Sequence, residues 1–135
     1  MGKASVFLLV EPSPILRSSL HDWLDHEFAG YRILVAANGV EALRLAAQER
    51  PSHILIEMEL PEKTGFEVLR QMRQILPGAT IVATGWYESR VLLEKVACSG
   101  ANGFIRKNRL PTELLPFVEC ASQIKVGSWQ NLCAC

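Results

Sequence analysis

The stretch His53-Ile-Leu-Ile-Glu-Met-Glu-Leu-Pro-Glu-Lys-Thr-Gly65 decides the fold. Its apolar triplet Ile54-Leu55-Ile56 shows no polar alternation, and a strand without a wet face belongs in the middle of a parallel sheet covered on both sides. Glu57 stands where that strand runs out, which is where open α/β sheets gather ligands and reacting groups. Pro61 and Gly65 then break the chain. Thr64, with Glu67 three positions on, forms a capping box for a helix whose apolar stripe is Val68, Leu69, Met72 and Leu76.

The same unit recurs on either side. Ser5-Val-Phe-Leu-Leu-Val10 reads as a first buried strand, followed by Glu11-Pro-Ser-Pro14, with Ser13 as N-cap and Pro14 at the first helical position. That helix is expected to reach Gly30, with Trp23 on its packing stripe beside Leu16, Leu20, Leu24 and Phe28. Arg32-Ile-Leu-Val-Ala36 is a second strand, and Asn38 with Glu41 caps the helix after it, which Pro51 stops. Thr80-Ile-Val-Ala-Thr84 is a fourth strand, and Ser89 caps a helix that stops at Gly100. Asn102-Gly-Phe-Ile-Arg-Lys107 is the fifth. A last amphipathic helix carries Leu114, Phe117, Val118, Ala121 and Ile124, and Pro116 within it is expected to kink its first turns or delay its start.

Five strands alternating with helices over short connections specify an α/β fold: a doubly wound, five-stranded parallel sheet in a flavodoxin-like three-layer sandwich. The expected strand order is 2-1-3-4-5, with the switch point beside strands one and three. Glu11, Glu57, Thr84 and Lys107 then converge at one edge although they are far apart in sequence. A single domain over 1–126 and a tail over 127–135 are expected.

The bulk numbers exclude several classes. At 135 residues the chain supports one core. Its 14 basic and 14 acidic residues cancel, so charge gives no general attraction to nucleic acid or to an anionic membrane. No apolar run approaches a membrane span and no signal pattern opens the chain, which makes cytoplasmic the expected location. Cys98 and Cys120 read as small core residues. Cys133 and Cys135 read as a frayed terminus, set against metal binding, pairing or a prenylated tail. His21, His26 and His53 lack complementary ligand spacing, and Glu59 and Glu62 read as solvated loop acids.

Pro51 six residues before Glu57, Pro61 and Gly65 after it, Thr84 closing strand four, Gly100-Ala-Asn-Gly103, and Phe104 three before Lys107 form a spaced set. On these residues the chain resembles the receiver domains of two-component response regulators, over roughly residues 5 to 125. The resemblance implies an aspartate at the Glu57 position that accepts a phosphoryl group and an acidic pair after strand one that holds Mg²⁺. It also implies a threonine and a lysine on the phosphoryl oxygens, and an aromatic on strand five that swings inward as a switch.

The chain departs from that pattern at its centre. The phosphoacceptor is Glu57, and the acidic pair is Glu11-Pro12. Mg²⁺ demands octahedral oxygen ligands, and a proline side chain offers none. Phosphoryl transfer depends on positioning and charge neutralisation, so a longer nucleophile arm and a lost ligand weaken both terms. Mg²⁺ binding is therefore expected to be weak or absent. Asn108 replaces the usual proline after the lysine, and a trans Lys107-Asn108 bond is expected.

The expected function is an atypical receiver that signals through protein contacts without aspartate phosphorylation. No residue is expected to be catalytic. The alternative is a receiver retaining weak Mg²⁺-dependent phosphoacceptor activity through Glu57 or Glu59. Flavin binding is disfavoured because Glu11-Pro-Ser-Pro14 is not a phosphate loop. Glu57 reads either as a buried carboxylate paired with Lys107 in a static scaffold or as a partial mimic of the phosphorylated state. Thr84 is expected to donate a hydrogen bond to Glu57, and Glu11 to cap local backbone donors rather than to retain a weak cation site. Phe104 is either a core aromatic or a moving switch. Trp86 and Tyr87, in the loop after strand four, are either a binding hot spot or packing over the site. The expected partner is a kinase or output protein, with a possible homodimer through the face made by helix 4, strand 5 and helix 5.

Overall fold

Alternation within the central strands builds the two faces of the sheet. In β1 (Ser5–Val10), Leu8 and Val10 enter one core cluster while Phe7 and Leu9 enter the other. In β3 (His53–Glu57), Ile54 and Ile56 part from Leu55 in the same way. A strand that feeds a core on each side must be covered on each side, and the helices do this. The computed structural model describes residues 5–120. Its remaining elements are α1 (Pro14–Glu27), β2 (Tyr31–Ala36), α2 (Gly39–Glu49), α3 (Gly65–Ile75), β4 (Thr80–Gly85), α4 (Arg90–Cys98), β5 (Gly103–Arg106), a 3₁₀ turn (Lys107–Arg109) and α5 (Leu110–Cys120). The strands run parallel in the order β2-β1-β3-β4-β5, as expected.

Ala42 and Ala46 of α2, Val68, Leu69 and Met72 of α3 and Val96 of α4 close one face. Leu24 of α1 and Leu114 of α5 close the other. Each of the first four helices opens on the residue its sequence named. Ser13 Oγ accepts from the Leu16 N–H at 3.4 Å, Asn38 Oδ1 from Glu41 at 2.9 Å, Thr64 Oγ1 from Glu67 at 3.2 Å and Ser89 Oγ from Leu92 at 3.1 Å. Glu41 returns the bond by accepting from the Ala37 N–H at 3.0 Å. Such caps satisfy backbone donors that a helix start leaves over, at about 1 kcal/mol each.

Two close approaches fix the helices against the sheet. A Cβ on Gly65 would lie 2.5 Å from the Met58 carbonyl oxygen, so only glycine lets the start of α3 sit on the residue after Glu57. A Cβ on Gly103 would meet the Phe117 ring at 2.5 Å, so β5 and α5 also touch through a missing side chain. At the opposite edge, Arg73 of α3 donates to the carbonyls of Leu76, Pro77, Ala79 and Gly100 and to Asn102 Oδ1, at 2.7 to 3.2 Å. Asn102 Oδ1 also accepts from the Ile81 N–H, so one guanidinium ties α3 to the starts of β4 and β5.

Several expectations need correction. β5 ends at Arg106 and Lys107 opens the following turn, because the chain must bend there to enter α5. α1 ends at Glu27, with Phe28 as its C-cap, short of Gly30. α5 starts at Leu110 and runs through Pro116, since Leu110 and Leu114 are buried and hold the early turns against the sheet. Cys98 and Cys120 lie at the surface, not in the core. No cis peptide occurs among the described residues, Lys107-Asn108 included. Among them, too, no helix is long and apolar enough to cross a membrane. Ala121, Ile124, the 127–135 tail and the cysteines at 133 and 135 fall outside the described residues.

Candidate functional site

Parallel register brings the site together. Glu57 lies opposite Thr84 on β4, and Thr84 lies opposite Ile105 on β5. Val10 closes β1 opposite Ile56, so Glu11 leaves the sheet next to Glu57, and Lys107 leaves β5 on the same edge. All four are buried: Glu11 is 2% exposed, Glu57 4%, Thr84 1% and Lys107 8%. Charged side chains this deep require partners.

Lys107 supplies them. Its Nζ donates to Glu11 Oε1 at 2.7 Å and forms an ion pair with Glu57 Oε1. The other two carboxylate oxygens face backbone donors: Glu11 Oε2 accepts from the Ser13 N–H at 3.0 Å, and Glu57 Oε2 from the Glu59 N–H at 2.9 Å. Every oxygen of both carboxylates therefore has a protein donor. Burial by itself pushes the Lys107 ammonium down, but the bonds to Glu11 and Glu57 and their charges outweigh it and hold Lys107 above the ordinary lysine value.

Glu11 thus caps a local donor, as its sequence position implied, and also shares the lysine that the sequence assigned to Glu57 alone. Thr84 departs from expectation. Its hydroxyl donates to the Ile105 carbonyl at 2.7 Å and not to Glu57. The reason is local: Ile105 is its register partner, and Glu57 already has two donors. Pro12 contributes only its carbonyl, which accepts from Arg17 Nη1 at 3.3 Å beside the Glu11 carbonyl at 3.0 Å. Glu59 and Glu62 are exposed, as expected of loop acids.

Phe104 is half-buried and packs against the core, and its ring and Glu57 Oε2 both approach Gly85. A cavity of about 150 Å³ lies here, lined by Glu57, Met58, Gly85, Trp86, Leu92 and Phe104 among others. The two loop aromatics part company. The Trp86 ring sits over Lys107 Nζ, 5.3 Å from its centroid, whereas Tyr87 is 81% exposed. The sequence placed the pair in one loop, but the contact between Trp86 and Lys107 had no signal there beyond proximity to the end of β4.

A profile of the response regulator receiver domain matches residues 7–119. Over 82% of its length the chain is 30% identical to the transcriptional activator protein ExaE of Pseudomonas putida, and it spans about half, 52%, of that protein. It is 31% identical to an uncharacterized 14.6 kDa protein of Leptolyngbya boryana, over 83% of this chain and 86% of that one. Among solved structures, the chemotaxis protein CheY4 of Vibrio cholerae superposes with a TM-score of 0.77 at 27% identity, over 87% of this chain and 98% of that one. A LuxR-family two-component response regulator from Aurantimonas sp. gives a TM-score of 0.80 at 25% identity, over 96% and 94%. Sheet order, the residues at the sheet edge and these likenesses agree, and the chain belongs to the response regulator receiver domain family.

Proposed function

We propose that this receiver works in two-component signalling as an atypical member, through protein contacts and without phosphorylation. The observation that carries the reading is the state of Glu57. Both its oxygens are engaged, one by Lys107 and one by the Glu59 N–H, inside a buried site. A nucleophile would need one of them free and aimed at an incoming phosphorus. Glu57 is a carboxylate held in place here, and no catalytic role is assigned to any described residue.

Of the two roles open to Glu57, the static one has the better support. An acyl phosphate carries nearly two charges and three acceptor oxygens, and a mimic would recruit the neighbouring hydroxyl as well as the lysine. Thr84 bonds Ile105 instead. The working surface is the face of α4, β5 and α5, bordered by Trp86, Tyr87 and Val91, which are 55%, 81% and 67% exposed. Its partner is a cytoplasmic kinase or output protein, or a second copy of the chain. Sedimentation equilibrium is expected to give a concentration-dependent dimer, and monomer at every concentration would remove that part.

The test of the main reading is incubation with a small acyl phosphate donor and Mg²⁺ followed by intact mass measurement. No gain is expected. A stable gain of one phosphoryl group overturns the proposal.

A further inference from the structure

The residues present do not fit the Mg²⁺ that the family pattern implies, and we infer that the ammonium of Lys107 is the resident cation of the Glu11–Glu57 carboxylate pair, shutting divalent metal out. Pro12 offers no side-chain oxygen. Lys107 Nζ lies against one oxygen of each carboxylate, and backbone N–H groups of Ser13 and Glu59 take the others. An ammonium has three donors, two of them directed at these acids, and the Trp86 ring covers the same nitrogen. A divalent ion bridging the two carboxylates would sit within a few ångströms of that positive charge, where repulsion in a buried site is strong. It would also have to displace the lysine before it could complete its oxygen shell.

A consequence for the bare carboxylates follows. Two buried acids facing one point are what a hard divalent cation takes up, with water filling its other positions. With Pro12 offering no ligand, the lysine charge is the further barrier that keeps the pair from being such a site. Removing that charge while keeping the fold should therefore create metal binding where the natural chain has none. The inference rests on Glu11, Glu57 and Lys107 and not on the phosphorylation-independent reading. Phosphoryl gain without metal binding sinks only that reading, and Mn²⁺ binding by the natural chain as tight as that of Lys107→Met sinks only this one.

The experiment titrates the natural chain and Lys107→Met with Mn²⁺ and counts the free ion by electron paramagnetic resonance. Lys107→Met is expected to bind one Mn²⁺ per chain at least about tenfold more tightly than the natural chain, the direction that loss of a nearby like charge dictates. Adding Glu11→Gln to Lys107→Met should abolish the gain, and a rise in melting temperature with Mn²⁺ should track the binding. If Lys107→Met does not fold without metal, Lys107→Gln, which keeps hydrogen-bond donors without the charge, serves in its place. The inference is overturned if the natural chain binds Mn²⁺ as tightly as the variant, or if the folded variant binds none.

Discussion

The sheet is fastened at each end by one long cation, and the two are satisfied in opposite ways. At the amino-terminal edge Arg73 donates to four backbone carbonyls and one side-chain amide oxygen, all neutral. At the carboxyl-terminal edge Lys107 donates to two carboxylates. A guanidinium spread over neutral acceptors ties chain segments together, and burial pushes Arg73 below its ordinary value with no acid to restore it. Carboxylates on a buried ammonium do the reverse and hold Lys107 up. The first arrangement is a staple. The second is a set of charges that depend on one another, which is what a signalling site keeps and a core does without.

That contrast sets the order of effects. Lys107→Met should cost the most, about 3–5 kcal/mol in urea unfolding, because it leaves both glutamates buried without their cation. Arg73→Met should follow at about 2–3 kcal/mol, since the carbonyls it abandons are neutral and partly within reach of water. A larger loss at Arg73 than at Lys107 would break the comparison. Thr84→Val should cost about 1 kcal/mol, the worth of its bond to the Ile105 carbonyl, and should leave Glu57 and Lys107 undisturbed. Chemical shifts moving at Glu57 in that variant would mean the hydroxyl serves the acids after all.

The smallest effect is in pH. Because the folded-state value of Lys107 lies above its ordinary 10.5, its stabilisation is fully present below that pH and is lost as pH rises through the folded value. The stability gap between the natural chain and Lys107→Met should stay flat from neutrality to about pH 10 and narrow only beyond it. A gap that closes near neutral pH would mean the ammonium is not held by the acids.

The fold was legible because its signals are local. Ile54-Leu55-Ile56 cannot sit at a wet face, and Ser13, Asn38, Thr64 and Ser89 each stand where a helix must begin. The convergence of Glu11, Glu57, Thr84 and Lys107 followed from strand order. Partner choice within the site did not follow. Thr84 could reach Glu57 or Ile105, and only the register and the occupancy of Glu57 decide between them. Arg73 carries no such signal, because four of its five acceptors are backbone carbonyls, which leave no trace in side-chain spacing. The last helix was legible but its start at Leu110 was not, because burial of Leu110 and Leu114 outweighs the one backbone bond a proline removes. Cys98 and Cys120 are exposed against expectation for a simpler reason: a small apolar residue near a helix end carries no periodic signal strong enough to fix its face.

The central claim is that the site is closed by its own ammonium, so the most direct measurement presents it with the shape of a phosphoryl group. An amide NMR spectrum of the natural chain recorded with beryllium fluoride and Mg²⁺ is predicted to be unchanged at Glu11, Glu57, Thr84, Trp86 and Lys107. Saturable shifts at those residues would contradict the account, because they would mean that Glu57 can leave Lys107 and take up metal and phosphoryl ligand together.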